Sequence, residues 1–268
     1  MAPPPNLPAA LLHHAAVDPE EPWLFRAEGW DWRWHPWGEA ARRLTYWTTR
    51  LSALPLGTCA AFRDRSLPET VVLDLAIQAA GLLSAPVSRE RGEAEAWIEI
   101  AGDEIRITPP ILSSFPPEGS GGVAVRMGDA DVIWTSAELV AAGERLQGEL
   151  GDLEGRQIVV LGGPLADPVE RTMMAWATLA GAAVVLEPDP ALRAAVAAWA
   201  RPTLFHGTPG EIADLRARAG KARKGRLPFR RLRTLLVVGA LSDAEETFWK
   251  ERGVRVVAFA AERHNHGI

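Results

Sequence analysis

Residues 157–187 read QIVVLGGPLADPVERTMMAWATLAGAAVVLE, and this stretch decides the fold class. The apolar run IVVL is followed by a Gly-Gly turn. Then comes Asp167-Pro168-Val169-Glu170, which combines an N-cap, a proline at the first helical position and an acid placed for a capping box. The helix this starts stops at Gly181, and AAVVL opens a second strand. Strands this apolar, with ten or more residues between them, require helices over both faces and run parallel.

The same alternation continues on either side. CAAFR (59–63) leads to Ser66, whose hydroxyl is expected to cap a helix with Glu69 three residues on, running through VVLDLAIQAA to Gly81. PTLF (202–205) precedes Thr208-Pro209-Gly210-Glu211 and a helix ending near Gly220. TLLVV (234–238) precedes Ser242-Asp243-Ala244-Glu245 and a helix ending at Gly253, before VRVVA. Nearer the amino terminus, WLFRAEGWDWRW (23–34) alternates apolar and polar around Glu28-Gly29 as a hairpin does, and Ala41, Leu44, Trp47 and Leu51 then recur at helical spacing. AWIEIAGDEIRIT (96–108) reads as a second hairpin, turning at Gly102-Asp103. The expected architecture is α/β, with two mainly parallel sheet subdomains and flanking helices. Residues 1–21 are expected to form a flexible arm, 22–120 a first subdomain ending in the linker PPILSSFPPEGSGG, and 121–268 a second.

Composition narrows the function. In 268 residues, 47% hydrophobic and 24% charged, no apolar run reaches the roughly 18 residues of a membrane span, and the first twenty residues lack a secretory signal, so a soluble, cytoplasmic protein is expected. One cysteine, Cys59, excludes an intramolecular disulfide and a cysteine-based metal cluster. The abundance of Ala, Arg, Pro and Gly reads as the coding bias of a GC-rich bacterium. Against a formal charge of −5, residues 216–233 hold nine Lys or Arg and no acid. That stretch has one aromatic, Phe229, and no nucleic-acid motif. Long cationic loops are commonly solvated; if Lys221, Arg223, Lys224 and Arg226 bind anything, an acidic protein partner or an anionic surface is expected ahead of nucleic acid. Eleven Trp stand against one Tyr, and Trp30, Trp32, Trp34 and Trp37 crowd into GWDWRWHPW, which places several indoles on one hairpin face.

The order of these motifs resembles the amino-terminal domain of the adenylate-forming (AMP-binding) superfamily, which includes acyl-CoA synthetases and peptide-synthetase adenylation domains. The segment AARRLTYWTTRLSALPLGTCAAFRDRSLPETVVLDLAIQAAGLLSAPV has the family's helix, strand and helix, down to Ala80-Gly81 and Pro86. DVIWTSAEL resembles the strand and helix start after the family's phosphate loop, and LAGAAVVLEPD resembles its Gly-Ala-x-x-Val-Leu strand. RPTLFHGTPGEIADL resembles the family's segment ending in a Thr-Pro helix cap, and LRTLLVVGALSDAEETFWKERGVRVV is similar to the strand, turn and helix beside the acyl pocket.

The resemblance breaks at the catalytic motifs. Adenylation requires a Ser/Thr/Gly-rich loop with a lysine to hold the ATP triphosphate. Here Gly128-Asp129-Ala130-Asp131 stands in that place, and its acids repel phosphate. The family's magnesium-holding acid would fall at Glu262, without the surrounding signature, and the chain stops at Ile268, before the ribose-binding aspartate and the small carboxy-terminal domain.

The expectation is a truncated, non-catalytic relative, a pseudoenzyme acting as a binding or scaffold subunit. It is expected to take no cofactor and no metal, to have no catalytic residue, and to form a homo-oligomer or bind a protein partner. The alternative is the amino-terminal part of a split acyl-CoA ligase completed by a partner chain, which would use ATP and magnesium. Ligand-binding positions are expected where strands end, at His206, Gly207, Gly239 and Ala240. Gly162-Gly163 reads as a strand-to-helix turn rather than an anion cradle, and His264 and His266 as part of a frayed tail.

Overall fold

The structure, a computed structural model, describes residues 4–28, 31–87, 96–108, 122–127, 130–151, 153, 155–220 and 229–259. The elements in chain order are α1 (Leu7–Val17), β1 (Pro22–Glu28), β2 (Asp31–Pro36), α2 (Trp37–Leu51), β3 (Cys59–Arg63), α3 (Pro68–Ala79) and β4 (Leu83–Val87). They continue with β5 (Ala96–Ala101), β6 (Glu104–Thr108), β7 (Gly122–Met127), β8 (Ala130–Thr135), α4 (Ser136–Leu150), β9 (Ile158–Leu161), α5 (Pro168–Ala180) and β10 (Ala183–Leu186). The last are α6 (Pro190–Ala200), β11 (Leu204–Gly207), α7 (Pro209–Gly220), β12 (Thr234–Val238), α8 (Asp243–Lys250) and β13 (Arg255–Phe259).

These strands form a seven-stranded sheet, β13-β12-β11-β9-β10-β1-β2, and a six-stranded sheet, β6-β5-β3-β4-β7-β8. Pairing is parallel within both sheets except at the edges, where the hairpins β1–β2, β5–β6 and β7–β8 are antiparallel. The expected α/β architecture with two mainly parallel sheets is what the chain adopts.

Side chains alternate across each central strand and so divide the core. Val159 and Leu161 of β9, Val184 and Leu186 of β10 and Leu236 of β12 face a core shared with α1 to α5 and the six-stranded sheet. Val160, Val185, Phe205, Leu235 and Val237 face the opposite way, toward α6, α7 and α8. Helices α3 and α5 lie between the sheets and are buried almost all round, which is why VVLDLAI and TMMAWATL read as continuously apolar.

Two expectations about organisation are corrected. The amino-terminal segment contains a docked helix, not an arm: Asn6 caps α1 by accepting the Ala9 amide at 2.8 Å, and Leu7, Ala10 and Leu11 are buried. The i, i+4 spacing of Leu7 and Leu11 outweighs the Pro/Ala composition. The sheets also do not divide at residue 120. β1 pairs with β10, which brings the first hairpin into the sheet of the late strands, while β7 pairs with β4 and keeps residues 122–135 in the earlier sheet.

Most helix starts follow their sequence signals. Asp167 accepts the Val169 and Glu170 amides, Ser242 accepts that of Glu245, and Thr208 with Glu211 closes a capping box on α7. Ser66 does not cap α3. Leu67 occupies the N-cap position, while Ser66, at φ +50°, donates its hydroxyl to the Gly163 carbonyl at 3.1 Å and so joins the end of β3 to the turn after β9.

The tryptophans divide. Trp37 is buried and stacks on Trp23 at 4.5 Å between ring centroids, whereas Trp32 and Trp34 share a β2 face, with Trp32 half-buried against the α6–α8 layer and Trp34 57% exposed.

Candidate functional site at the sheet switch point

From β9 the chain crosses to β10 on one side and then returns to β11 on the other, so the strand order reverses between β9 and β11. Open α/β sheets bind ligands in such a crevice, beyond the carboxyl ends of the strands. Here the crevice is bounded by Gly162-Gly163 after β9 and by His206-Gly207 at the end of β11.

Charged side chains from three helices fill it. Glu170 from α5 lies 3.2 Å from His206 Nε2, and its other oxygen accepts the Gly162 amide at 3.3 Å. Arg193 from α6 donates to His206 Nδ1 at 2.8 Å, to the His206 carbonyl at 3.0 Å and to Glu211 of α7 at 2.6 Å. A guanidinium only donates, so Nδ1 accepts and the ring proton lies on Nε2, directed at Glu170. Both imidazole nitrogens are thus engaged, and His206 offers neither to a ligand. Burial alone would raise the Glu170 carboxyl. The His206 ring, the Arg193 guanidinium and the backbone of the Gly162–Gly163 turn outweigh it and hold the group at about 2.

The two glycines serve this packing. A Cβ on Gly162 would lie 2.3 Å from the Glu187 carbonyl oxygen and 2.7 Å from Arg193 Nε, and one on Gly163 would lie 2.3 Å from Glu170 Cγ. The space an anion would need beside the turn is taken by the protein's own side chains.

The other expected positions lie close by. Gly207, paired with Val237 of β12, is buried, and Gly239, at φ +117°, sits at the end of β12 beside the Pro209 ring. Ala240 is exposed next to it, so Gly239 and Ala240 form a lip outside the filled crevice. Glu262, Lys221, Arg223, Lys224 and Arg226 lie outside the described residues. Among the described residues no three His, Cys, Asp or Glu side chains are grouped to hold a metal ion, and no helix is long and apolar enough to cross a membrane.

A second buried polar cluster had no counterpart in the sequence reading. Asp74 of α3 accepts from Arg171 of α5 at 2.5 Å, from Ser84 of β4 at 2.6 Å and from Gln78 at 2.8 Å, while Arg171 Nε donates to the Leu165 carbonyl. It ties the helices of one sheet to those of the other. The available signal was charge within otherwise apolar helix runs, Asp74 in VVLDLAI for this cluster and Arg193 in ALRAAVAAWA for the crevice. Such a charge must find a buried partner.

Strands β7 and β8 pair as far as Met127↔Ala130, and Gly128 and Asp129 between them lie outside the described residues.

No protein-family model matches the sequence, and no curated protein sequence does. Solved structures do. The inhibitor-bound amino-terminal domain of FACL13 from Mycobacterium tuberculosis superposes with a TM-score of 0.73 at 14% identity, covering 95% of this chain and 75% of that one. The o-succinylbenzoate CoA synthetase MenE from Bacillus subtilis gives 0.69 at 14%, covering 97% of this chain and 59% of that one. The nonribosomal peptide synthetase FmoA3, in its AMPPNP-bound form, gives 0.74 at 15%, with coverage of 98% and 32%. The chain has the fold of the amino-terminal domain of acyl-CoA synthetases and other adenylate-forming enzymes.

Proposed function

We propose that the chain is a non-catalytic binding or scaffold subunit built on this fold. The observation that carries the reading is the occupied switch-point crevice, where Glu170, Arg193, His206 and Glu211 satisfy one another and leave no ring nitrogen for a reacting group. The short β7–β8 connection supports it. The resemblance places the phosphate loop there, and two residues, one of them an aspartate, cannot wrap a triphosphate.

Association with another protein or a second copy is supported by apolar side chains left at the surface. Trp34 on β2, and Leu192 and Trp199 two helical turns apart on α6, are 57%, 49% and 68% exposed, and Phe25 and Trp32, on the Trp34 face of the hairpin, pack with the α6–α8 layer. Indoles of this kind are favoured at interfaces.

ATP–pyrophosphate exchange with a panel of carboxylic acids tests the catalytic side. The chain alone is expected to give no exchange above background. Exchange by the chain alone, or exchange that appears when a partner is added and is lost when this chain is omitted, would establish a ligase or a split ligase instead.

A further inference from the structure

Four arginines surround one cavity of about 680 Å³, where the β1–β2 hairpin of the seven-stranded sheet meets β3, β5 and the start of α3. Arg26 and Arg33 are directly opposite each other across the hairpin and so share a face. Like charges in that relation destabilise a strand pair. Arg63 ends β3, and Arg65 follows two residues later.

Among the described residues, the acids near the cavity neutralise its arginines only in part. Asp64, between Arg63 and Arg65 in sequence, turns its carboxylate away from the cavity to accept the Ser66 and Leu165 amides. Of the two acids on the wall, Glu69 already pairs with Arg43 at 3.6 Å, and Glu99 accepts the Trp97 indole at 3.2 Å and lies across from Arg106 in the β5–β6 register. Arg26, Arg63 and Arg65 form no ion pair among the described residues. Apart from Thr70 and Gly102 the rest of the wall is apolar, with Trp97 and Ile100 partly open to it. A space of this volume is within the range of about 300–1,000 Å³ typical of small-molecule sites.

We propose that this cavity binds a small organic polyanion: two or more anionic groups held by Arg26, Arg63 and Arg65, and an apolar portion laid against Trp97 and Ile100. The guanidinium fork suits phosphate and carboxylate oxygens alike. The inference rests on the cavity alone. Exchange activity would sink the non-catalytic reading and leave this one untouched.

The test is calorimetry and thermal shift on the full chain with four probes: pyrophosphate, tricarballylate, inorganic phosphate and 1-naphthyl phosphate. Pyrophosphate, tricarballylate or both are expected to bind with a Kd below about 1 mM at low salt, weakening as salt rises. Which of the two binds tells phosphate from carboxylate. Naphthyl phosphate is expected to bind at least about tenfold tighter than inorganic phosphate, through the apolar wall.

The Arg26→Gln/Arg63→Gln variant should weaken binding at least about tenfold with little change in Tm, because neither side chain forms an ion pair among the described residues. If that variant fails to fold, the exposed Arg65→Gln replaces it and should abolish the ligand-induced Tm shift. Failure of all four probes to bind the wild type would overturn the proposal. So would binding that survives intact in the variants, since it would belong to another basic surface such as residues 216–233.

Discussion

His206 Nε2 lies 3.2 Å from Glu170 Oε1, and this contact locks the end of β11 to the first turn of α5. Because the Glu170 carboxyl is depressed from its ordinary 4.5 to about 2 in the folded chain, it contributes stability above pH 4.5, which is lost as pH falls toward 2. Glu170→Gln should lower stability at neutral pH by about 3 kcal/mol, the cost of stripping one partner from a buried charged network. It should also flatten the decline between pH 4.5 and 2. Urea denaturation across that range reads both effects, and an acid limb identical to wild type would refute the assignment.

Gly162→Ala should be among the most damaging single-methyl additions in the chain. Its Cβ meets a backbone carbonyl, that of Glu187, which cannot rotate away as a side chain can. A loss of about 2–3 kcal/mol is expected by chemical denaturation. By contrast, Gly148→Ala on α4, where nothing lies within 4 Å of the added carbon, should stabilise the helix by up to about 1 kcal/mol.

Asp74 and Arg171 form a buried pair whose members are worth more together than apart. Arg171→Met alone should cost about 3–5 kcal/mol by leaving Asp74 buried and unpaired, and adding Asp74→Leu should recover a large part of that. A double-mutant cycle with additive losses would show that the two side chains do not depend on each other.

Arg201 closes α6 in the left-handed conformation, at φ +51°, with its amide on the Ala197 carbonyl and its side chain in solvent. Arg201→Gly removes the Cβ penalty at no loss of a contact. It should raise stability by about 0.5–1 kcal/mol, seen as a higher Tm.

Replacing Lys221, Arg223, Lys224 and Arg226 together with Ala should leave Tm nearly unchanged while weakening any salt-sensitive partner contact. The flanks of this stretch are anchored: Arg216 lies 4.6 Å over the Phe248 ring, and Phe229 and Leu232 are buried. A large drop in Tm would mean that the four cations are paired within the structure.

The sequence made the local elements legible wherever a cap and a period coincided. Asp167-Pro168, Thr208-Pro209 and Ser242 open their helices as their chemistry dictates, and the alternation in WLFRAEGWDWRW yields β1 and β2. It could not reveal which sheet that hairpin joins, because the pairing of Leu24 with Val184 is set by packing 160 residues apart. Ser66 misled for a related reason. A hydroxyl three residues before an acid fits a cap, but here the Gly163 carbonyl, far away in sequence, claims it. At the switch point, His206 was visible as a strand-end histidine. Glu170 was visible too, but as a capping acid, and only the fold shows that it turns inward to the ring.

The six-stranded sheet is contiguous in sequence, from Cys59 to Thr135, whereas the seven-stranded sheet opens with β1 and β2 and resumes at β9. During synthesis from the amino terminus, the first hairpin therefore emerges long before its neighbour β10 exists. The intervening sheet can assemble first, while Trp23 and Leu24 wait without the strand that covers them. Helix α1, which packs against both α2 and the much later α5, waits in the same way. The order of translation thus leaves Trp23 and Leu24 without their sheet neighbour until the chain has grown by about 160 further residues, from Leu24 to Val184.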